Sequence, residues 1–366
     1  MTNKFKNLYK LSIIAIAIIV ALLISSLILM IIGADALKTF LVIFTEPLKN
    51  KIQFTEVLIR AIPLSIIALG ITVAYRSGTI NIGAEGQMAM GILGTTACAL
   101  AFPNMPSVLL IPLALLFGML TGGFWGFVPG YLKAKLKVSE LLSTVMLNYI
   151  AAQLYTFFLR GPMLDPAELT MGSGTPQSMR LAKNVWLPRL ITGTRLHAGL
   201  FIVFIAAILV YLFLWKTTWG YKMRAAGAGR KAARYGGINV AYYITISMVI
   251  SGAFAGLAGG VEVIGVHHRA IEGITGGYGF SGIVVALFGG LHPLGIIPAS
   301  FFFGLLLVGA DMTQRMVGVP ANMVQVLEGI IILVIVATQM ILDDKYLQDR
   351  IYRKIYKERQ TNESNC

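Results

Sequence analysis

The sequence predicts an all-α fold, a polytopic membrane helix bundle of about ten transmembrane helices. Hydrophobic residues make up 57% of the 366 positions and charged residues only 13%, whereas a soluble domain carries about 25% charged residues. The apolar residues lie in successive runs of roughly the 20 residues that a bilayer requires. So few charges could not cover a water-exposed surface of this size, and the composition therefore fits a protein that faces lipid.

Ten apolar runs are candidates for spans, and little chain separates them. The eighth is short and bounded by glycine. The first follows Lys4, Lys6 and Lys10, and its length favours an uncleaved signal anchor over a cleaved signal peptide, whose apolar region has only about 7–15 residues. The predicted spans are 11–33, 57–75, 83–102, 107–128, 139–159, 198–215, 241–264, 279–290, 293–310 and 322–341.

The basic residues predict the orientation of these spans. Lysine and arginine are concentrated near the N-terminus, at Arg76, in 133–137, in 216–234 and after the last span, and these segments hold 19 of the 30. Because cytoplasmic loops carry the excess of basic residues, both termini are predicted to be cytoplasmic. Residues 1–341 are predicted to form one transmembrane domain and 342–366 a basic cytoplasmic tail. This placement at span ends disfavours nucleic-acid binding despite the net charge of +14.

The spacing of glycine predicts how tightly the helices pack. Glycines recur every four residues over 118–130 and again over 252–260, which lets helix backbones approach closely in lipid. By contrast, the Gly-Pro, Asp-Pro and Thr-Pro pairs within 160–197 predict an irregular outside loop with short helical pieces. We therefore expect a tight bundle with one long external loop.

Two glycine-rich breaks interrupt the apolar pattern. The first covers 77–88, in which Asn81 is predicted to cap a helix whose first turn contains Glu85. The second covers 273–282. In the predicted orientation the breaks occupy matching positions in two halves of opposite topology, an inverted repeat that indicates a binding site near the membrane midplane. The alternative is a pair of re-entrant turns that contact no solute.

Polar side chains in the breaks and spans are candidates for a substrate pathway, because an ionisable group in the bilayer costs at least about 2.5 kcal/mol and usually faces a pathway or a partner. Asn148 is favoured as a ligand for an uncharged polar solute, since its amide both donates and accepts. For Glu262 and Glu328, which lie in later spans, the alternative to a pathway role is an interhelical hydrogen bond or a position near the membrane interface. The candidates are Asn81, Glu85, Gln87, Asn148, Glu262 and Glu328.

Segment 222–239 is alanine-rich, basic and flanked by glycine. It predicts a short helix outside the bilayer, between the sixth and seventh spans, whose small side chains expose a surface that fits the groove of a partner. The alternative is a plain cytoplasmic loop that carries the positive charge of that side. Such a loop, however, has no need of small residues at these positions.

Three motifs carry a resemblance to a known family. RAAGAGRKAARYGGINV (224–240) resembles the EAA-like coupling loop of ABC-importer permeases of the ribose and branched-chain amino-acid class. RSGTINIGAEGQM (76–88) and SELLSTVMLNYIA (139–151) resemble the purine-nucleoside branch of that class, alongside its simple-sugar permeases. The similarity covers approximately residues 10–342. It departs at Gly229 and Arg230, where the family commonly has Asn followed by Pro or an acidic residue.

The resemblance implies a multi-pass permease of the plasma (inner) membrane that has no catalytic residue, metal or cofactor of its own. Its implied partners are a second permease subunit, two cytoplasmic ABC ATPases and an extracytoplasmic substrate-binding lipoprotein. ATP-driven closure of the ATPases would act on the 222–238 helix and move the solute by alternating access. The residues implied in this coupling are Arg224, Ala225, Ala226, Gly227, Ala232, Ala233, Arg234, Tyr235, Gly237 and Ile238.

The predicted function is import of a polar solute, with nucleosides favoured and a ribose-like sugar as the alternative. An ion-coupled secondary carrier would also use inverted repeats and midplane carboxylates, but it has no ATPase to engage an alanine-rich helix. The chain lacks the phosphate-binding pattern Gly-x-x-x-x-Gly-Lys-[Ser/Thr], which agrees with an ATP site on another polypeptide. The spans show no metal-ligand spacing and no nucleophile beside a base, which disfavours a membrane-embedded enzyme.

Overall fold

The computed structural model describes residues 16, 19–31, 33–172 and 174–320, with six further residues between 323 and 334. The described part of the chain is predominantly helical and contains no β-strand, only three isolated bridges. Six of its helices are long and apolar enough to cross a membrane. The predicted class, an all-α polytopic membrane bundle, is therefore confirmed.

The helices follow one another closely, and several are separated by only one or two residues. They are α1 (Ile19–Ile31), α2 (Ala36–Lys49), α3 (Lys51–Arg76), α4 (Ala84–Ala101), α5 (Ser107–Leu136), α6 (Glu140–Arg160), α7 (Pro166–Met171), α8 (Gly199–Lys216), α9 (Thr218–Ala228), α10 (Arg230–Tyr235), α11 (Val240–Glu262), α12 (Tyr278–Phe288) and α13 (Pro293–Val317), with a 3-10 turn at Lys183–Val185 and a π-turn at Val263–His267. The six that could span a membrane are α3, α5, α6, α8, α11 with its π-turn, and α13.

Eight predicted spans, from 57–75 to 293–310, each fall on one helix, namely α3 to α6, α8 and α11 to α13. The tenth span (322–341) lies largely outside the described residues, as do the N-terminal part of the first span and the whole tail. The helix α2 was not predicted, because its charged residues and Pro47 break up the apolar run. The helix α5 continues past the predicted end at 128, through a polar last turn.

The described chain divides into two compact units. One comprises residues 47–308, and the other comprises residues up to 46 together with those from 309 onward. In the second unit the backbone at Gly309 packs directly on Ile43 of α2, where an added Cβ would have no room. All of the features described below belong to the unit of residues 47–308.

Glycine contacts between α5 and α11 form the centre of this unit. A Cβ added at Gly122 or at Gly126 would overlap backbone atoms of α11, and one at Gly256 would overlap the Gly118 carbonyl. The two helix backbones are therefore in direct contact, which supplies the van der Waals packing that replaces the hydrophobic effect in lipid. The prediction of tight packing from glycine spacing is confirmed. Beside this pair, α3 is buried along most of its length and contacts α8, α11 and α12.

The long loop (residues 161–198) packs against the chain that follows α11. It contains α7 and the 3-10 turn, which confirms the predicted irregular loop with short helical pieces. Ser178 N donates to Ala270 O at 2.9 Å, and the rings of Trp186 and His268 stack with centroids 3.8 Å apart. The long loop thus covers the segment that links α11 to α12.

Candidate functional site

The first glycine break, residues 77–83, lies between α3 and α4 and is held by buried side chains. The Nδ2 of Asn81 donates to Ser251 Oγ and to Gln87 Oε1, both at 2.8 Å. Its Oδ1 accepts from Gly83 N at 2.9 Å. The prediction that Asn81 caps α4 is wrong, because the helix begins after Gly83 and has no side-chain cap. Asn81 instead ties the break to α11.

Asn148, on α6, pairs with two backbone groups at the end of this break. Its Nδ2 donates to Ile82 O at 3.0 Å, and its Oδ1 accepts from Gly86 N at 2.9 Å. Gly86 lies in the first turn of α4, where helix N–H groups have no internal partner. A Cβ at position 86 would lie 2.8 Å from Asn148 Oδ1, so the glycine lets the amide approach. The amide therefore donates to and accepts from the backbone.

Glu85 joins the first break to the second, residues 273–277, which precedes α12. One carboxylate oxygen accepts from Gly277 N at 3.0 Å and the other from Gly279 N at 2.7 Å. These N–H groups stand at the start of α12, where free backbone donors and the helix dipole favour an anion. Glu85 is in the first turn of α4 as predicted, but its carboxylate pairs with the start of a different helix.

Four of the six candidate pathway residues meet where the breaks touch. We call this region the break junction: Asn81, Glu85, Gln87 and Asn148 with residues 77–83 and 273–279. Each of the four side chains is hydrogen-bonded to another of them, to Ser251 or to backbone. Glu262 lies apart, at the end of α11, and Glu328 lies outside the described residues.

Glu262 lines a separate cavity of about 310 Å³ between α3, α11, the long loop and the second break. We call it the polar cavity, after the charged residues Glu56, Arg60, Arg195 and Glu262 in its lining. The Arg195 guanidinium donates twice to the Glu56 carboxylate, from Nε to Oε1 at 2.9 Å and from Nη2 to Oε2 at 2.6 Å. This two-point pair holds the end of the long loop against α3.

Three charged residues of the polar cavity, Glu56, Arg60 and Arg195, were not predicted from the sequence. For Arg60 a signal was present, since an arginine inside an apolar run usually faces a pathway or a partner. For Arg195 and Glu56 the sequence carried no such signal, because the two residues lie 139 positions apart in the chain. Only the folded chain brings them together.

A π-turn sets the surroundings of Glu262. Over Val263–His267 the helix widens, and His268 N donates to Val263 O, five residues back, at 2.7 Å. This turn brings His267 Nε2 to 3.3 Å from Glu262 Oε1. Such single-turn insertions occur frequently at functional sites. In the described part of the chain, no group of three or more His, Cys, Asp or Glu side chains could hold a metal ion.

The segment predicted as one short helix over 222–239 is two helices, α9 and α10. Gly229 separates them in an extended conformation, with φ −171° and ψ 96°. The prediction of a single helix is wrong because a glycine in a helix costs about 1 kcal/mol relative to alanine. The break also falls where the sequence departs from the family pattern, at positions 229 and 230.

Three small residues of this α9–α10 segment, Ala226, Gly227 and Ala233, face the protein's own chain. Ala226 and Ala233 are buried, and a Cβ on Gly227 would lie 2.8 Å from Gly78 N. Gly78 has φ +73°, a conformation that favours glycine, and its carbonyl accepts from Arg230 Nη2 at 2.9 Å. The α9–α10 segment therefore rests directly on the first break.

The remaining candidate coupling residues are more accessible. Tyr235 is 94% exposed. Exposed with it are Ala232, Arg234 and Gly237, whereas Arg224, Ala225, Gly227 and Ile238 are half-buried. The segment thus has an inner side of small residues and an outer side with one prominent aromatic ring.

Comparison with known proteins places these features in a family. Residues 53–336 match the family described as "Branched-chain amino acid transport system / permease component". A guanosine ABC transporter permease of Bacillus subtilis is 33% identical over 92% of this chain and 96% of its own length. A nucleoside ABC transporter permease of Lactococcus lactis is 34% identical (87% and 88%), and a glucose ABC transporter permease of Haloferax volcanii is 32% identical (88% and 86%). The matched residues include the break junction, the polar cavity and the α9–α10 segment, and the chain belongs to the permease-component family of branched-chain amino acid transport systems.

Proposed function

We propose that this chain is the transmembrane permease subunit of an ATP-binding-cassette importer that moves nucleosides across the plasma membrane. The observation that carries the proposal is the contact of the α9–α10 segment with the first break at Gly78. Through this contact, a displacement of the α9–α10 segment by an ATPase would be transmitted to the break junction. The similarity to guanosine and nucleoside permeases supports the choice of solute.

The solute pathway is proposed to run through the break junction. In the described arrangement its amides and carboxylate pair with one another and with backbone, so the pathway is closed there. Separation of the breaks would free Asn81, Glu85, Gln87 and Asn148 to bind a solute rich in hydroxyl and amide groups. Glu262 and Glu328 are proposed as further pathway residues.

The ATPase is proposed to bind the outer side of the α9–α10 segment. Tyr235 is almost fully exposed there and Arg234 adds a positive charge, and tyrosine and arginine are residue types that dominate protein interfaces. A second permease subunit and an extracytoplasmic substrate-binding lipoprotein are proposed to complete the importer. The ATPase subunits would hydrolyse ATP, and this chain would provide the path.

Both termini are proposed to be cytoplasmic, with the α9–α10 segment on the same side and the long loop outside. In cells that express this chain without the ATPase subunits, which are proposed to cover Tyr235, Tyr235→Cys is then expected to react with a membrane-impermeant maleimide only after permeabilisation, and Met179→Cys in intact cells. Both positions are exposed, so the side of the membrane decides the labelling. The background is a chain with Cys366 replaced by serine, since Cys98 is buried. The reverse labelling pattern would overturn the proposed orientation.

Uptake measurements test the proposed function directly. Cells that express the chain with its partner subunits are expected to accumulate radiolabelled guanosine while ATP is available, and unlabelled nucleosides should compete whereas glucose should not. No accumulation of guanosine, together with ATP-dependent uptake of radiolabelled glucose, would favour the second candidate, a sugar permease, which the similarity to the glucose permease supports. Uptake that persists without ATP but stops when ion gradients are collapsed would contradict the importer and indicate a secondary carrier.

A further inference from the structure

The charges of the polar cavity fit a solute without net charge. Two carboxylates, Glu56 and Glu262, share its lining with two guanidiniums, Arg60 and Arg195. The formal charges of these four groups cancel. A charged solute would meet a like charge as readily as an opposite one, whereas an uncharged solute with donors and acceptors can use groups of both signs.

The rest of the lining suits a flat heterocycle. Ile59, Val266 and Leu307 are apolar, and Tyr278 contributes an aromatic ring. Small-molecule sites usually combine such a lining with a few polar groups that set orientation. A purine nucleoside has the matching parts, since its base has an apolar face and a polar edge and its ribose adds hydroxyl groups.

Glu262 is the cavity carboxylate best placed to accept from a solute. Both oxygens of Glu56 already accept from Arg195, whereas Glu262 pairs through Oε1 with His267. The residue is only 5% exposed, and a buried carboxylate in a spanning segment is costly and usually faces a pathway or a partner. Two residues of the π-turn that follows it, Val266 and His267, line the same cavity.

We propose that the polar cavity is a nucleoside-binding subsite on the path to the break junction, in which Glu262 accepts from the donor edge of a purine base. The proposal rests on the proposed function. The second break connects the two places, because Gly276 lines the cavity and the next residue, Gly277, donates to Glu85 in the junction. A solute in the cavity therefore contacts the second break. Separation of this break from Glu85 would open the junction.

The test is equilibrium binding of radiolabelled guanosine to the purified complex of permease and ATPase subunits in lipid nanodiscs. Glu262→Gln preserves the size of the side chain and removes its charge, and it is expected to raise the dissociation constant about tenfold, the effect of losing one charged hydrogen bond. It should also reduce the preference for guanosine over inosine, which lacks the 2-amino donor. Glu272→Gln is the matched control, because that carboxylate pairs with Arg160 at the surface and lies outside the cavity lining. The control should keep wild-type values.

Ser281→Leu provides a second test, since Ser281 lines the cavity from α12 and a larger side chain would occupy the space. It should abolish guanosine binding without altering Glu262. Wild-type affinity in both variants, while the wild-type importer transports nucleosides, would overturn the subsite and leave the proposed function intact. An equal loss in Glu272→Gln would overturn the subsite as well. Failure of the wild-type importer to take up any nucleoside would overturn the proposed function itself.

Discussion

Replacing Gly227 with valine is expected to reduce solute uptake to background while the protein still inserts into the membrane. A Cβ at this position would lie 2.8 Å from Gly78 N and closer still to Arg76 O. Both neighbours are backbone atoms, which cannot move away by a change of rotamer. The branched side chain must therefore push α9 away from the first break. The contact through which movement of α9 would reach the break junction is then lost. Guanosine uptake and the stimulation of ATPase activity by the loaded lipoprotein are the measurements.

Two further variants separate this effect from a general loss of folding. Ala228→Val adds a branched side chain one residue later, at an exposed position, and should transport normally. Tyr235→Ala should lose uptake together with co-purification of the ATPase, whereas Gly227→Val should retain the ATPase because the outer side of the segment is unchanged. Normal uptake by Gly227→Val at wild-type expression would contradict transmission through the Gly78 contact.

The second large effect is expected from Glu85→Gln, which keeps the shape of the side chain. The carboxylate now accepts from Gly277 N and Gly279 N, but a glutamine presents one acceptor oxygen and an NH₂ group that faces a donor. A hydrogen bond to a charged group contributes about 1.5–3 kcal/mol, which corresponds to roughly 10- to 100-fold in an equilibrium. Because Glu85 is also proposed to bind the solute once the breaks separate, guanosine uptake should fall by about this factor. The thermal midpoint of the purified complex should decrease, since the closed junction loses a hydrogen bond.

The control for this variant is again Glu272→Gln. Its carboxylate pairs with Arg160 at the surface, and exposed ion pairs contribute only about 0–1 kcal/mol, so uptake and melting should change little. If Glu85→Gln transports and melts like the wild type, the two breaks do not depend on this carboxylate. The pathway assigned to the break junction would then be wrong, although membership of the permease family would stand.

The helices were predictable where their signal is local. The runs 139–159 and 198–215 differ by a residue or two from α6 and α8, because length and hydropathy alone decide whether a segment can cross a bilayer. The helix α2 was missed, since an amphipathic helix with charged residues lacks that signal. The α9–α10 segment was recognised, but the break at Gly229 was not, since an isolated glycine is tolerated in many helices.

The candidate site was predicted in its residues but only partly in their roles. Asn81, Glu85 and Asn148 were chosen because polar groups are costly in lipid, and the structure brings them together. Asn81 was assigned to the cap of α4, the nearest helix in sequence, whereas it bonds to Ser251 on α11. The small residues of the α9–α10 segment were assigned to a partner's groove, whereas Ala226 and Ala233 pack inside the chain.

The sequence by itself determined that the chain is a bundle of lipid-facing helices with two glycine breaks and a basic alanine-rich segment between spans. These properties depend on composition and on spacing within about 20 residues. Only the tertiary structure decided which groups pair, such as Glu85 with Gly277, 192 residues away, or Arg195 with Glu56. A buried hydrogen-bonding group must find a partner, but hydrogen bonds reach only about 3 Å. Which partner it finds is therefore decided by how the helices pack and not by their order in the chain.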